Sequence, residues 1–150
     1  WKIYAAYAHY LAHIGQVNAP EGTKKFKLAK FLNEVPAFSQ DKRGMNIPIL
    51  VIQLLFCLAD NRRTDAVDRV EAVSKYCSRY LRDDEQLRSH CLLQMLLQLP
   101  QAGFHRVAAE RKAEKFRARL AKVPLEIANQ PFELEIIPYE DLWEMALLSI

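Results

Sequence analysis

The sequence has few of the residues that build sheets, disulfide frameworks or metal sites. Only four glycines occur in 150 residues, and valine and threonine do not gather in alternating runs, which argues against a β-rich fold. The three cysteines, Cys57, Cys77 and Cys91, lack CxxC spacing, so they predict neither a disulfide framework nor a zinc site. We expect them to be buried side chains in a reducing compartment, which indicates the cytoplasm.

The sequence also lacks a strong charge of one sign and a membrane-spanning run. The formal net charge is +3, which neither requires nor excludes an anionic partner. The longest apolar run, Ile47–Ala59, is shorter than the roughly 20 residues that a transmembrane helix needs. We therefore expect no membrane partner. The length of 150 residues suits one domain. Because the chain begins at Trp1 and not at Met, we expect this domain to be the C-terminal part of a longer protein.

The segment Asn46–Ala59 is the feature around which the sequence predicts the fold. It is apolar on every face except at Gln53. A helix that is apolar all round must be enclosed by other elements. Ile and Val also favour strands, but the length of the run and its leucine-rich second half favour a helix. The segment is therefore predicted to be a central, buried helix.

Apolar residues recur at helical spacing along most of the remaining chain. The pattern predicts further helices over Trp1–Val17, Lys24–Asn33, Thr64 or Asp65 to Arg82, Asp84–Leu99, Phe104–Val123 and Tyr139–Ser149. Pro100 and Pro124 are expected to end two of them. Leu125–Ile137 stays ambiguous between a short extended piece and an irregular one. Short turns favour stacked antiparallel hairpins, so we expect an all-α fold, an α-α superhelix of about seven helices.

The pair of helices from Leu50 to Asp83 resembles one tetratricopeptide-type unit. The first helix would be anchored by Leu50, Leu54 and Cys57. The pattern of small and large apolar residues in the repeat's second helix is matched by Ala66, Val70 and Val73. The same predicted buried face continues to Cys77 and Tyr80. Two positions depart from the family pattern, because Leu54 stands where a small residue is expected and Ser78 stands where proline is expected. The next pair, Asp84–Val123, keeps the hairpin but not the motif.

A second resemblance covers three short segments. Phe31–Pro36, Asp41–Gly44 and Ile137–Trp143 are similar to the C-terminal part of uncharacterised bacterial proteins that contain such helices. The two resemblances together imply a degenerate helical repeat and an expectation of protein binding. They imply no substrate and no catalytic residue.

Two pairs of residues could carry chemistry. His9 and His13 have the i,i+4 spacing that lets two imidazoles reach one zinc ion, but the glutamate of a HExxH motif and a third ligand are missing. His90 directly precedes Cys91, and sequence neighbours on a helix point about 100° apart, which argues against a Cys–His dyad. The sequence therefore predicts no catalytic residue, no metal and no cofactor, and we do not expect an enzyme.

Charged residues form two basic regions and one acidic region. The basic residues lie on the helix after Phe104 and in Lys24–Arg43, and the acidic residues lie in Glu133–Glu144. Arg111, Lys115, Arg119 and Lys122 share one face at i, i+4, i+8 and i+11. They could bind phosphates, or they could form a solvated face that Glu110 and Glu114 compensate. The acidic region could also complement the basic helix, within the chain or between two copies.

The sequence leaves two hypotheses on function and does not indicate the oligomeric state. The first is a non-catalytic protein–protein interaction or scaffolding module that holds a peptide or helix between hairpins, with the loop Val35–Met45 and the basic helix as contact surfaces. The alternative is a polyanion-binding domain, with nucleic acid as the partner, that uses the basic helix 104–123. The residues predicted to contact a partner are Phe38, Lys42, Arg43, Arg111, Lys115, Arg119 and Lys122.

Overall fold

The structure is a computed structural model that describes residues 2–18, 28–33, 46–81, 87–125 and 135–150. Within these ranges the chain forms seven helices and no strand. The helices are α1 (Lys2–His13), α2 (Leu28–Asn33), α3 (Asn46–Ala59), α4 (Arg63–Tyr80), α5 (Leu87–Gln101), α6 (Arg106–Ala121) and α7 (Tyr139–Leu148). The predicted all-α class is confirmed for this part of the chain.

Helix α3 is the centre of the core, as its composition predicts. Every residue from Ile47 to Leu58 is buried except Ile49, which is half-buried. Helices α1, α4 and α7 pack against α3. Each large apolar side chain that is buried in this way contributes roughly 1.5–3 kcal/mol to stability, so α3 determines how its neighbours are arranged.

The one polar side chain in the middle of α3 connects three elements. Gln53 is fully buried, and its Nε2 donates a hydrogen bond to the carbonyl oxygen of Phe31 in α2 over 3.1 Å. Its Oε1 accepts a hydrogen bond from Nη1 of Arg69 in α4 over 3.3 Å. A buried amide that is bonded on both sides avoids the desolvation penalty of an unpaired polar group, so Gln53 links α2 and α4 to the core.

Helix α4 differs from the prediction at its start and on its buried face. Its N-cap position is Arg62, whose side chain makes no capping hydrogen bond, and Thr64 and Asp65 lie inside the first turn. The Asp65 carboxylate instead accepts a hydrogen bond from Arg62 Nε over 2.6 Å. Tyr76 is buried in place of the predicted Tyr80, whose ring packs on Tyr76 with centroids 5.3 Å apart. Cys77, also predicted to be buried, is half-buried.

The hairpin α5–α6 turns through two residues with positive φ. Pro100 lies in the last turn of α5, which continues to Gln101, so the predicted end at Pro100 is one residue too early. Gly103 has φ +60° and Phe104 has φ +56°. An added Cβ at Gly103 would meet no neighbouring atom, so glycine suits this reversal because it adopts positive φ without strain. It places α6 antiparallel to α5 and begins α6 two residues later than predicted.

Consecutive helices pack on one another from α3 to α6. Helix α7 then returns and packs on α3, α5 and α6. In a regular solenoid each unit contacts only its neighbours, so the return of α7 departs from that pattern. Across the described ranges, no helix is long and apolar enough to cross a membrane.

Candidate functional site

The most distinctive surface of the protein is the outer side of α6. Five cationic side chains lie within an arc of about 100° around the helix axis, because successive residues turn by about 100°. We name this set the basic arc, and its members are Arg111, Lys112, Lys115, Arg119 and Lys122. All five are exposed. Lys122 follows the last residue of α6 but keeps helical backbone angles (φ −78°, ψ −15°), so the arc extends to it.

The opposite side of α6 is what fixes this orientation. Ala109, Ala113 and Leu120 are buried against the neighbouring helices α5 and α7. These small and apolar residues recur at the spacing of one helical face. Because this face is held in the core, the basic arc points outward along the whole length of α6.

Two carboxylates near the basic arc contact other cations. Glu110 accepts from Arg106 Nε over 3.3 Å, and Glu144 lies 3.7 Å from Arg117 Nη2. Both arginines lie on α6 outside the arc. Across the described residues, no member of the basic arc forms an ion pair within 4.0 Å. The exposed carboxylate of Glu114 lies on α6 beside the arc, about 60° around the helix axis from Arg111. The arc therefore carries an excess of exposed positive charge, which suits electrostatic binding of an anionic surface.

A buried arginine joins the beginning of α5 to the C-terminal part of the chain. The Arg88 side chain is 9% exposed and that of Glu135 is 2% exposed. Arg88 donates to both carboxylate oxygens of Glu135, over 3.0 Å from Nε and 2.8 Å from Nη2. It also donates to Glu140 over 2.7 and 3.1 Å and to the carbonyl oxygen of Val123.

Further contacts complete this Arg88 cluster. Glu135 accepts the backbone N–H of Tyr139 over 2.7 Å, and the Tyr139 hydroxyl lies 2.8 Å from the hydroxyl of Ser89. The hydrogen bond with Glu135 raises the pKa of Arg88 further. Partial burial would raise the pKa of Glu140, but the hydrogen bond and positive charge of Arg88, together with a backbone hydrogen bond, outweigh it and lower that pKa. Every polar group of the cluster is used internally, so we assign it a structural role.

Sequence reasoning missed Arg88, although the helical pattern contained a signal. Arg88 precedes the buried residues Leu92, Met95 and Leu99 at spacings of four, seven and eleven residues, which places it on the core-facing stripe of α5. A charged residue on such a stripe predicts a buried ion pair. Its partners, Glu135 and Glu140, are distant in sequence and only the fold reveals them.

The candidate zinc pair, His9 and His13, and the candidate Cys–His dyad, His90 and Cys91, lie in different surroundings. His13 Nε2 lies 2.7 Å from Asp60 Oδ1 at the end of α3, and His9 is half-buried on the same helix. In the part of the chain that is described, no group of three or more His, Cys, Asp or Glu side chains could hold a metal ion. Cys91 is buried and burial raises its pKa, which disfavours the thiolate that a nucleophile requires.

A cleft of about 370 Å³ opens at the ends of α1, α3 and α7. Its lining residues are His13, Ile14, Gln16, Ala59, Met145, Leu148 and Ser149. Leu148 is 67% exposed, the most exposed of the large apolar side chains described. The sequence did not predict this cleft, because its walls come from three segments that are far apart along the chain.

Of the predicted contact residues, the structure brings Arg111, Lys115, Arg119 and Lys122 together on α6. Phe38, Lys42 and Arg43, with the rest of the loop Val35–Met45, lie outside the described residues. Comparison with protein-family models, with curated proteins and with solved structures finds no match for this chain.

Proposed function

We propose that the protein is a non-catalytic binding module that holds a polyanionic partner along the basic arc of α6. The observation that carries the proposal is that five exposed cations face solvent while the neighbouring carboxylates Glu110 and Glu144 contact Arg106 and Arg117. A surface with one sign of charge attracts and steers an oppositely charged partner.

The energetics of α6 support the same proposal. Arg111, Lys115 and Arg119 follow each other at i,i+4, and like charges at this spacing destabilise a helix by about 0.2–0.5 kcal/mol per pair. An anionic partner would relieve this repulsion and release counterions at the same time. The alanines and Leu120 on the inner face keep the helix in place without the partner.

The arrangement of the helices and the cellular location are also proposals. Consecutive packing of α3, α4, α5 and α6 supports a degenerate α-α superhelix of the tetratricopeptide-like type, closed at one side by α7. Free thiols at Cys57, Cys77 and Cys91 support a reducing location, the cytoplasm.

Retention on heparin, a soluble polyanion, tests the proposal. The wild-type chain is compared with Arg111→Gln/Lys115→Gln/Arg119→Gln/Lys122→Gln, and the salt concentration at elution is measured. We expect the wild type to be retained and the variant to elute close to the void at low salt. The matched control, Lys75→Gln/Arg79→Gln, removes two exposed cations of α4 and leaves the contacts of Glu110 and Glu144 with Arg106 and Arg117 intact. Failure of the wild type to bind heparin would contradict the proposal. So would a decrease in the elution salt concentration that is the same per removed charge in both variants.

A protein partner is the second candidate, and a different surface favours it. The cleft at the ends of α1, α3 and α7 combines the exposed Leu148 with Ile14 and Met145. An apolar side chain from a partner could anchor there, as at the centre of protein interfaces. Capture by the wild-type chain would then be lost with Leu148→Glu and kept with Leu148→Ala and with the fourfold arc variant. Any other pattern of loss would count against this candidate.

A further inference from the structure

We infer that the polyanion on the basic arc is duplex nucleic acid, bound through its phosphates without regard to sequence. This inference rests on the proposed function and names its partner. The positive charge of the arc complements a duplex, an acidic protein and a single strand alike. The kinds of side chain on and beside the arc favour the duplex.

The arc lacks the anchors of a protein interface. The apolar residues beside it are few, the small Ala118 at its margin and Val107, which is 64% exposed one turn before Arg111, and neither is aromatic. Protein interfaces concentrate their binding energy in buried aromatic and arginine anchors and are depleted in lysine at their centre. Three of the five cations of the arc are lysines, Lys112, Lys115 and Lys122. A phosphate backbone needs no apolar anchor, because point charges and counterion release supply its affinity.

The arc also lacks a platform on which unpaired bases could stack. Single-strand binding proteins combine cations with aromatic rings that stack on successive bases. The nearest aromatic residue on α6, Phe116, is half-buried, and Lys115 Nζ lies over its ring at 4.7 Å from the centroid. Its ring is therefore not available to a base, and a single strand would gain only backbone contacts.

The length of the arc favours the higher charge density of a duplex. From Arg111 to Lys122 the helix rises about 16 Å. Duplex DNA carries about one charge per 1.7 Å of its axis, so about ten phosphate charges lie along that length of the duplex, against about five on one of its strands. The arc carries no asparagine or glutamine that could read adenine. Its arginines and lysines can bind guanine as well as phosphate, and a comparison of duplexes of different sequence distinguishes the two.

The test measures fluorescence anisotropy of labelled 20-base-pair duplexes with the whole chain at several salt concentrations. The other probes are one strand of the duplex and polyglutamate of similar charge. We expect the duplex to bind at least tenfold more tightly than either, and two duplexes of different sequence to bind within about threefold. If five phosphates are contacted, the slope of log K against log salt is about −4.5, since each contact contributes about −0.9.

Variants of equal charge locate the site. Lys115→Gln/Arg119→Gln is expected to make the slope less steep by about 2, whereas Lys75→Gln/Arg79→Gln, which removes two exposed cations of α4, should leave it unchanged. Circular dichroism verifies that both variants are folded. A single strand or polyglutamate that binds as tightly as the duplex overturns this inference but leaves the proposed function intact. If none of the probes binds, or if the control variant loses as much as the arc variant, both proposals are wrong.

Discussion

The guanidinium of Arg88 on α5 holds the carboxylate of Glu135 with two parallel hydrogen bonds of 3.0 and 2.8 Å, 47 residues away in sequence. Both side chains are almost completely removed from solvent. Such a pair offsets its own desolvation only while its geometry is intact. Because Glu135 also accepts the first backbone N–H of α7, the pair fixes the start of that helix against α5.

Removing Arg88 should therefore be severely destabilising. Arg88→Ala leaves the Glu135 carboxylate buried without its cation, and we expect the free energy of unfolding to fall by about 3–5 kcal/mol. Urea denaturation, with the slope held in common, measures the change. Arg106→Ala, which removes an exposed i,i+4 pair, should cost less than about 0.5 kcal/mol.

A double variant separates the lost pair from the unpaired charge. Arg88→Met/Glu135→Gln removes both charges and keeps an oxygen that can accept from the Tyr139 N–H. We expect the double variant to be more stable than Arg88→Ala, because no buried charge remains unpaired. If the double variant is less stable than the single one, the buried carboxylate is not the source of the loss.

Stability should decline in acid through Glu140. The hydrogen bond from Arg88 lowers the pKa of Glu140 in the folded protein. The folded state therefore binds this proton less readily than the unfolded chain, so the stabilisation is present above the ordinary carboxyl range and is lost as the pH falls through it. Since the side chain is 46% exposed, we expect a contribution of less than about 1 kcal/mol. Glu140→Gln should lose stability at neutral pH and show a flatter dependence below about pH 5.

Urea denaturation at neutral and acidic pH makes the comparison between wild type and Glu140→Gln. Glu144→Gln is the control, because it removes an exposed carboxyl group of the same helix that does not contact Arg88. The assignment to Glu140 is wrong if both variants change the pH dependence equally.

Replacing Gln53 by an apolar residue should lower the stability of the protein, although Gln53 is a polar residue within an apolar helix. Gln53→Leu preserves the volume approximately but leaves the Phe31 carbonyl oxygen without this donor and Arg69 without this acceptor. A buried polar group that loses its partner costs about 1–3 kcal/mol. Thermal and urea unfolding measure the loss. Gln98→Leu, which removes a local hydrogen bond within α5, should have a smaller effect, and equal effects would argue against the role of Gln53 as a link.

The thiols should react slowly in the folded protein. Burial raises the pKa of Cys57 and Cys91, and it raises the pKa of Cys77 to about 12. The thiolate is the reactive form, so at about pH 8 we expect alkylation of Cys77 by iodoacetamide to be at least 100-fold slower than that of an unstructured cysteine. Mass spectrometry of native and urea-unfolded samples resolves the three sites. Rapid labelling of Cys77 in the native sample would contradict a raised pKa for this half-buried thiol.

Much of the fold can be read from local patterns. The bounds of α3 agree with its apolar run, and α7 agrees within one residue at its end, because hydrophobic periodicity and prolines act over a few residues. The basic arc is also local information, since residues four apart on one helix share a face whatever the helix packs against. That is why Arg111, Lys115, Arg119 and Lys122 could be selected before the structure was known.

The sequence by itself determined the helices, the buried α3 and the spacing of the cations on α6. Only the tertiary structure decided which charges remain available. Arg88 forms ion pairs with Glu135 and Glu140, and Arg117 lies close to Glu144. These three members of the acidic region therefore contact cations outside the basic arc. Ion pairs between distant segments depend on how helices pack, and a one-dimensional pattern does not specify that packing. The same reason applies to the cleft at Leu148, whose three walls meet only in the folded chain.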